Sequence, residues 1–298
     1  MSQPPKPVAG SLIERAAEAF EFHKLWRLPE APSAPPEARA QRIEAMAAPA
    51  PITDPTLVPV DRDLLRQNGF IVPGSPPTAL SEEFRLVKRQ LLLAALGGND
   101  GQTVDNGRLI LVCSAQPNEG KTFCVVNLAL SMASETDIEV LLVDADVAKP
   151  EIFSTLGLPG SAGLMDALAD PSIDPEQLVI RTDIPNFSVL PAGRQTNTDT
   201  ELLASGRTRT LIEKLAARNP RRIILFDSAP ALAASPASVL ALQVGQAVIV
   251  VRADRTSEGD LRDAVSLIDS CPNIRLLVNA VTFGRSNRRF GSYYGSGE

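Results

Sequence analysis

Histidine is almost missing from this chain of 298 residues: His23 is the single one, and it lies outside the candidate catalytic region. Acid–base or phosphoryl-transfer chemistry centred on histidine is therefore not expected. The three cysteines, Cys113, Cys124 and Cys271, have no metal-ligand spacing. Cys113 and Cys124 fall in apolar runs and are expected to pack as small hydrophobes. Positive charge is in deficit, with a formal net charge of −6. A chain without clustered positive charge is a poor partner for nucleic acid, and none is expected. No apolar run approaches the length that spans a bilayer, so no direct membrane span is expected. Residues 1–5, MSQPP, carry no signal-peptide pattern, and the chain is expected to be cytoplasmic. Only two tyrosines occur, Tyr293 and Tyr294, side by side within the last ten residues.

What is present is a phosphate cradle. Residues 114–122 read SAQPNEGKT, after the apolar run LILVC and before the apolar stretch FCVVNLAL. Strand, tight loop, Gly-Lys-Thr and helix are the layout that aims loop N–H groups and a helix N-terminus at an anion. Lys121 would add a positive charge at the β- and γ-phosphates, and the Thr122 hydroxyl could ligate Mg²⁺. The usual G-x-x-x-x-G-K-[ST] pattern has glycine where this chain has Ala115, so the motif is a deviant Walker A. Asn118 suits a tight loop, because asparagine tolerates left-handed backbone.

Two further apolar runs end in aspartate: VLLVDAD at residues 140–146 and RIILFDS at 222–228. Runs of this kind suit parallel strands buried on both faces. Open α/β sheets bind ligands at the carboxyl ends of their strands. Asp144, Asp146 and Asp227 are thus expected to converge on the Lys121 loop. Carboxylates beside a triphosphate require a cation, so Mg²⁺ is expected, held by Thr122, by Asp227 directly or through water, and by phosphate oxygens.

Strands are predicted at 109–113, 140–143, 187–190, 223–226, 247–251 and 274–278. Helices are predicted at 122–133, 164–169, 208–217, 236–242 and 257–268. This alternation predicts an α/β fold, a doubly wound and mostly parallel sheet of the P-loop NTPase type. A strong helix is also predicted at 81–96, with Ser81 as its N-cap and Glu82, Arg85 and Lys88 along one charged face. Residues 11–28 read as a short helix, either packed on the main domain or docking a partner. Residues 29–59 read as a Pro/Ala-rich linker. The expected organisation is an N-terminal helix and linker at 1–60, a P-loop domain at 61–283 and a flexible tyrosine-bearing tail at 284–298. A Gly/Ser tail carrying the only tyrosines is a candidate phosphoacceptor.

Together, residues 114–122, 140–150 and 223–230 and the terminal tyrosine pair resemble the bacterial tyrosine kinases (BY-kinases) of polysaccharide export and assembly. More narrowly, SLIERA at 11–16, SEEFRLVKRQLL at 81–92 and VIVVRADRT at 248–256 are similar to the exosortase-associated tyrosine autokinase branch. The resemblance implies ATP and Mg²⁺ as cofactors. It implies a nucleotide site made of Gln116, Pro117, Asn118, Glu119, Gly120, Lys121, Thr122 and Phe123, with Asn279 at the adenine. It implies catalytic roles for Lys121, Asp144 and Asp146, and a metal site of Thr122, Asp144 and Asp227. Tyr293 and Tyr294 would accept the γ-phosphoryl group from a neighbouring subunit. Glu82, Arg85 and Lys88 fall on the family's E-x-x-R-x-x-R oligomerisation helix, Lys88 standing where the motif has arginine. The implied partners are further copies of the chain and a membrane activator of the chain-length-determinant type, which would hold the protein at the inner membrane. The implied activity is autophosphorylation that regulates exopolysaccharide polymerisation and export.

Two other readings stay open from sequence. One is an ATP-driven assembly switch of the ParA/MinD kind. Those proteins resemble K-G-G-x-G-K-[ST] at the loop, whereas here Gln116 holds the first lysine's place and Pro117 and Asn118 those of the two glycines. The sequence also lacks their amphipathic C-terminal membrane helix. The other is a non-catalytic nucleotide-binding regulator.

Overall fold

The computed structural model describes residues 57–97 and 103–281. The expected helix at 11–28, the linker as far as residue 56 and both tail tyrosines lie outside the described residues.

The described chain builds one seven-stranded sheet in the order β3-β4-β2-β5-β1-β6-β7. The strands are β1 (Leu109–Ser114), β2 (Glu139–Ala145), β3 (Ile180–Arg181), β4 (Phe187–Leu190), β5 (Arg222–Ser228), β6 (Gln246–Arg252) and β7 (Ile274–Asn279). All neighbours pair in parallel except β3, which runs antiparallel to β4. The helices are α1 (Arg62–Gln67), α2 (Ala79–Leu96), α3 (Lys121–Ala133), α4 (Ile152–Leu156), α5 (Leu164–Ala169), α6 (Asp199–Ala204), α7 (Gly206–Ala217), α8 (Pro236–Ala241) and α9 (Glu258–Leu267).

Alternation along the central strands divides the core into two layers. Leu109, Leu111 and Cys113 of β1 pack toward residues of α5, α7, α8 and α9, including Leu168, Leu215, Leu240 and Ala264. Ile110 and Val112 face the other way, toward α2 and α3, including Leu91, Cys124, Leu128 and Met132. Both faces are covered, so the strands read as continuous apolar runs. All three cysteines are free and buried, Cys113 and Cys124 as expected and Cys271 with them.

Within the described residues, the strands expected from residue 109 onward and the helices expected from residue 81 onward are present, with ends shifted by one or two residues. The start of α2 is corrected. Its N-cap is Thr78, whose Oγ1 accepts the Ser81 N–H at 3.2 Å while Ser81 Oγ accepts the Thr78 N–H at 2.8 Å. Ser81 thus plays the reciprocal part in a capping box. The packed body also begins ahead of the expected boundary at residue 61, because Val58 pairs with Thr182 and Val60 is buried.

Two buried cations tie the layers. Arg222, opposite Glu139 in the β2–β5 register, holds Glu139 at 2.7 Å, bonds Glu176, and donates to Leu215 O at 3.0 Å. Lys88 does not share an exposed charged face with Glu82 and Arg85. It is buried, and its ammonium donates to Ser131 O at 2.8 Å and pairs with Glu135 at 2.7 Å, at the C-terminal end of α3. A cation there satisfies orphan carbonyls and complements the helix dipole. Glu82 and Arg85 pair with each other at 2.6 Å on the surface. Of the three residues expected to mediate oligomerisation, only these two remain on an accessible face.

Candidate active site

The loop between β1 and α3 stands at the carboxyl ends of the parallel strands, where the topology opens the sheet to ligand. Gly120 is the N-cap of α3 with φ 93, and Asn118 has φ 63. A side chain at Gly120 would collide with the Asn279 amide as well as strain the backbone.

The strand ends bring Lys121, Thr122, Asp144, Asp146 and Asp227 together. Asp144 and Asp227 are direct neighbours in the β2–β5 register. Lys121 Nζ lies 2.6 Å from Asp146 Oδ2 and 3.4 Å from Asp227 Oδ1. Thr122 Oγ1 donates to Asp227 Oδ2 at 2.7 Å. Asp144 Oδ2 accepts the Ile152 N–H at 3.2 Å, while its Oδ1 is buried with no hydrogen-bond partner. Such an orphaned buried acceptor is costly and marks a place for a cation or a polar ligand atom.

These hard oxygen donors suit Mg²⁺. Among the described residues no cluster of three or more His, Cys, Asp or Glu side chains forms a ready metal cage. Mg²⁺ takes one or two protein oxygens and completes its shell with water and phosphate.

Burial first, and then the Asp227 charge, push the Asp144 carboxyl up to about 8. Burial pushes Asp227 up to about 6, against the pull of Lys121 and Thr122. Burial opposes the charge on Lys121, but Asp227 and Asp146 together outweigh it and raise its pKa. An acid raised in the folded state keeps a proton that the unfolded chain has already released, so stability falls as pH climbs from the ordinary 3.8 toward about 8. The nucleotide-free protein is expected to melt higher at about pH 6 than at about pH 8.5. Asp144→Asn is expected to flatten that difference in calorimetric scans; an unchanged slope would contradict the assignment.

Other expected site residues make contacts within the protein. Glu119 turns inward, 2% exposed, and its carboxylate bonds Gln116 N and Thr256. Phe123 is half-buried and meets Phe70 in a tilted ring contact, centroids 4.9 Å apart, against the core. The Asn279 side chain donates to Glu119 O at 2.9 Å and so supports the loop backbone. Gln116 reaches Asp260 with its side-chain amide at 3.4 Å. The sequence assigned no place at the loop to Gln195, or to Arg252 and Thr256 of the 248–256 motif. Arg252 donates to Asn118 O at 2.9 Å, and Gln195 bonds Val147 O, just beyond Asp146. Only the fold brings these partners to the site.

The sheet order and the Gly-Lys-Thr loop define a P-loop NTPase fold with a deviant Walker A. No family model matches the chain. It is 31% identical over 196 residues to EpsB of Ralstonia nicotianae, a candidate tyrosine-protein kinase by its name, across 64% of this chain and 25% of EpsB. It is 27% identical over 227 residues to the tyrosine-protein kinase YwqD of Bacillus subtilis, across 76% of this chain and 90% of YwqD. The solved kinase domain of VpsO superposes with a TM-score of 0.52 at 28% identity, covering 67% of this chain and 98% of that domain. The chain is a homologue of the bacterial tyrosine kinases, and it spans about a quarter of the length of EpsB.

Proposed function

We propose that this chain is an ATP-dependent protein-tyrosine kinase that phosphorylates its own Tyr293 and Tyr294. The observation that carries this reading is the convergence of Lys121, Thr122, Asp144, Asp146 and Asp227 at the ends of β1, β2 and β5, with one carboxylate oxygen left unpartnered. Homology to tyrosine kinases selects protein tyrosine as the acceptor over other uses of ATP.

On nucleotide entry Lys121 would leave Asp146 for the phosphates, and the loop N–H groups would take the remaining charge. Thr122, Asp227 and the free oxygen of Asp144 would hold Mg²⁺, which supplies charge neutralisation between the phosphate oxygens. Asp146, released from Lys121, is the carboxylate assigned to receive the phenolic proton. A tyrosine hydroxyl with a pKa near 10 needs such an acceptor. The tyrosyl oxygen–phosphorus bond forms as the bond from the γ-phosphorus to the bridging oxygen breaks, and ADP departs with that oxygen.

The setting belongs to the same proposal. The acceptor tail would come from a neighbouring subunit, with Glu82 and Arg85 at the contact. A membrane activator of the chain-length-determinant type would hold the protein at the cytoplasmic face of the inner membrane, in a system that polymerises and exports polysaccharide. Among the described residues no helix is long and apolar enough to cross a membrane. Residues 81–92 and 248–256 favour the exosortase-associated branch.

Intact-mass measurement and tail-peptide mapping after incubation with Mg-ATP are expected to place phosphate on Tyr293, Tyr294 or both. The double variant Tyr293→Phe/Tyr294→Phe is expected to lose it. A tail without phosphate, both with and without the cytoplasmic segment of a chain-length-determinant-type protein, would overturn the reading.

A further inference from the structure

We propose that Thr256 is a positioning residue for the phosphate loop, acting through the buried carboxylate of Glu119. The inference rests on the nucleotide-binding reading above. Glu119 lies in the middle of the loop, yet it is only 2% exposed. A buried carboxylate needs partners for its oxygens. Oε2 accepts the Gln116 N–H at 2.9 Å, and Oε1 accepts the Thr256 hydroxyl. Thr256 Oγ1 in turn accepts the Arg252 N–H at 2.9 Å, which leaves the hydroxyl proton for Glu119. Arg252 also reaches Asn118 O at 2.9 Å with its guanidinium.

One short segment, 252–256, therefore ties Gln116, Asn118 and Glu119 at once. It leaves the end of β6, the strand paired with β1, so it is anchored in the same sheet as the loop. The clasp answers a specific difficulty. Ala115 stands where phosphate loops usually have glycine, and Asn118 holds φ 63 without being glycine. A non-glycine residue in left-handed backbone persists only where its surroundings hold it. Amides fixed in place before an anion arrives lose less freedom when it binds, and affinity rises accordingly. Packing alone would affect stability; a positioning role must affect loop order and nucleotide affinity together.

Thr256→Val keeps the side-chain shape and removes the hydroxyl, while Thr256→Ser keeps the hydroxyl. Calorimetric titration with Mg-ADP is expected to give Thr256→Val a Kd about tenfold weaker than wild type, and Thr256→Ser a Kd within about twofold. In the nucleotide-free protein, amide hydrogen exchange of peptides covering residues 114–120 is expected to quicken in Thr256→Val and not in Thr256→Ser. Unchanged exchange, or quickened exchange with unchanged affinity, overturns the proposal; so does equal weakening by serine and valine. Should Thr256→Val fail to fold, Glu119→Ala replaces it: faster loop exchange with weaker Mg-ADP binding supports the clasp, and either one unchanged overturns it. If the wild type binds neither Mg-ADP nor Mg-ATP, the kinase reading fails, and loop exchange alone then decides the clasp.

Discussion

Replacing Lys121 by methionine is expected to lower tyrosine phosphorylation by roughly 10²–10³-fold or more, the usual loss when a preorganised charge at a transferring group is removed. The same substitution should be felt without nucleotide. Lys121 lies between Asp146 at 2.6 Å and Asp227 at 3.4 Å, and all three side chains are nearly buried. Taking out the cation leaves carboxylates facing one another without compensation, a loss of about 3–5 kcal/mol in the resting protein. The two effects separate in a double variant. Adding Asp146→Asn to Lys121→Met removes one stranded charge and is expected to recover part of the stability but none of the phosphorylation. Chemical denaturation and phosphotyrosine quantification on the same samples check both. Phosphorylation within tenfold of wild type in Lys121→Met would show that Lys121 does not hold the phosphates.

The largest effect on stability alone is expected at Arg222. Its side chain is 3% exposed and holds Glu139 at 2.7 Å, together with Glu176 and the Leu215 carbonyl. Burial opposes the guanidinium charge, but Glu176 and Glu139 outweigh it and raise its pKa. Arg222→Leu strands both carboxylates and an acceptor, for about 3–5 kcal/mol. For a domain of this size that is a fall in Tm of roughly 6–20 °C. Arg222→Lys should recover little, because an ammonium cannot reproduce the forked contacts. Arg222 opens β5, whereas Asp227 stands near its carboxyl end, so the Mg-ADP affinity of the folded fraction should be preserved. A fall in Tm below about 2 °C would show that the triad contributes little.

The central strands were legible because parallel strands covered on both faces must be apolar throughout, and the acidic ends of β2 and β5 interrupt that rule where ligand approaches. Elements defined mainly by their partners were not legible. β3 is two residues long and exists through its pairing with β4. α1 sits just beyond a Pro-rich stretch, and its Asp61 cap, which accepts the Leu64 N–H at 2.8 Å, is one polar residue among many in sequence. Lys88 was misplaced by counting in threes. Six residues along a helix turn the side chain about 120° away from the starting face, so Lys88 leaves Glu82 and Arg85 and turns toward α3. Within the site, Lys121 and Thr122 follow from the Gly-Lys-Thr loop, and the three aspartates from the ends of strands. The side-chain partners of Glu119, Phe123 and Asn279 could not be read from sequence, because each comes from a distant part of the chain. Arg252 and Thr256 stand in the 248–256 motif, but nothing local tied them to the loop they hold, which is more than a hundred residues earlier in the chain.

The central claim is that the γ-phosphoryl group of ATP ends on the tail tyrosines. Its most direct test follows γ-labelled ATP with Mg²⁺ and the full chain, and divides the label between tyrosine phosphate and released inorganic phosphate. The account predicts label on Tyr293 and Tyr294, dependent on Lys121 and rising with protein concentration as one subunit's tail meets another's site. Label found only as inorganic phosphate, with bare tyrosines, would contradict it and identify an ATPase switch on the same fold.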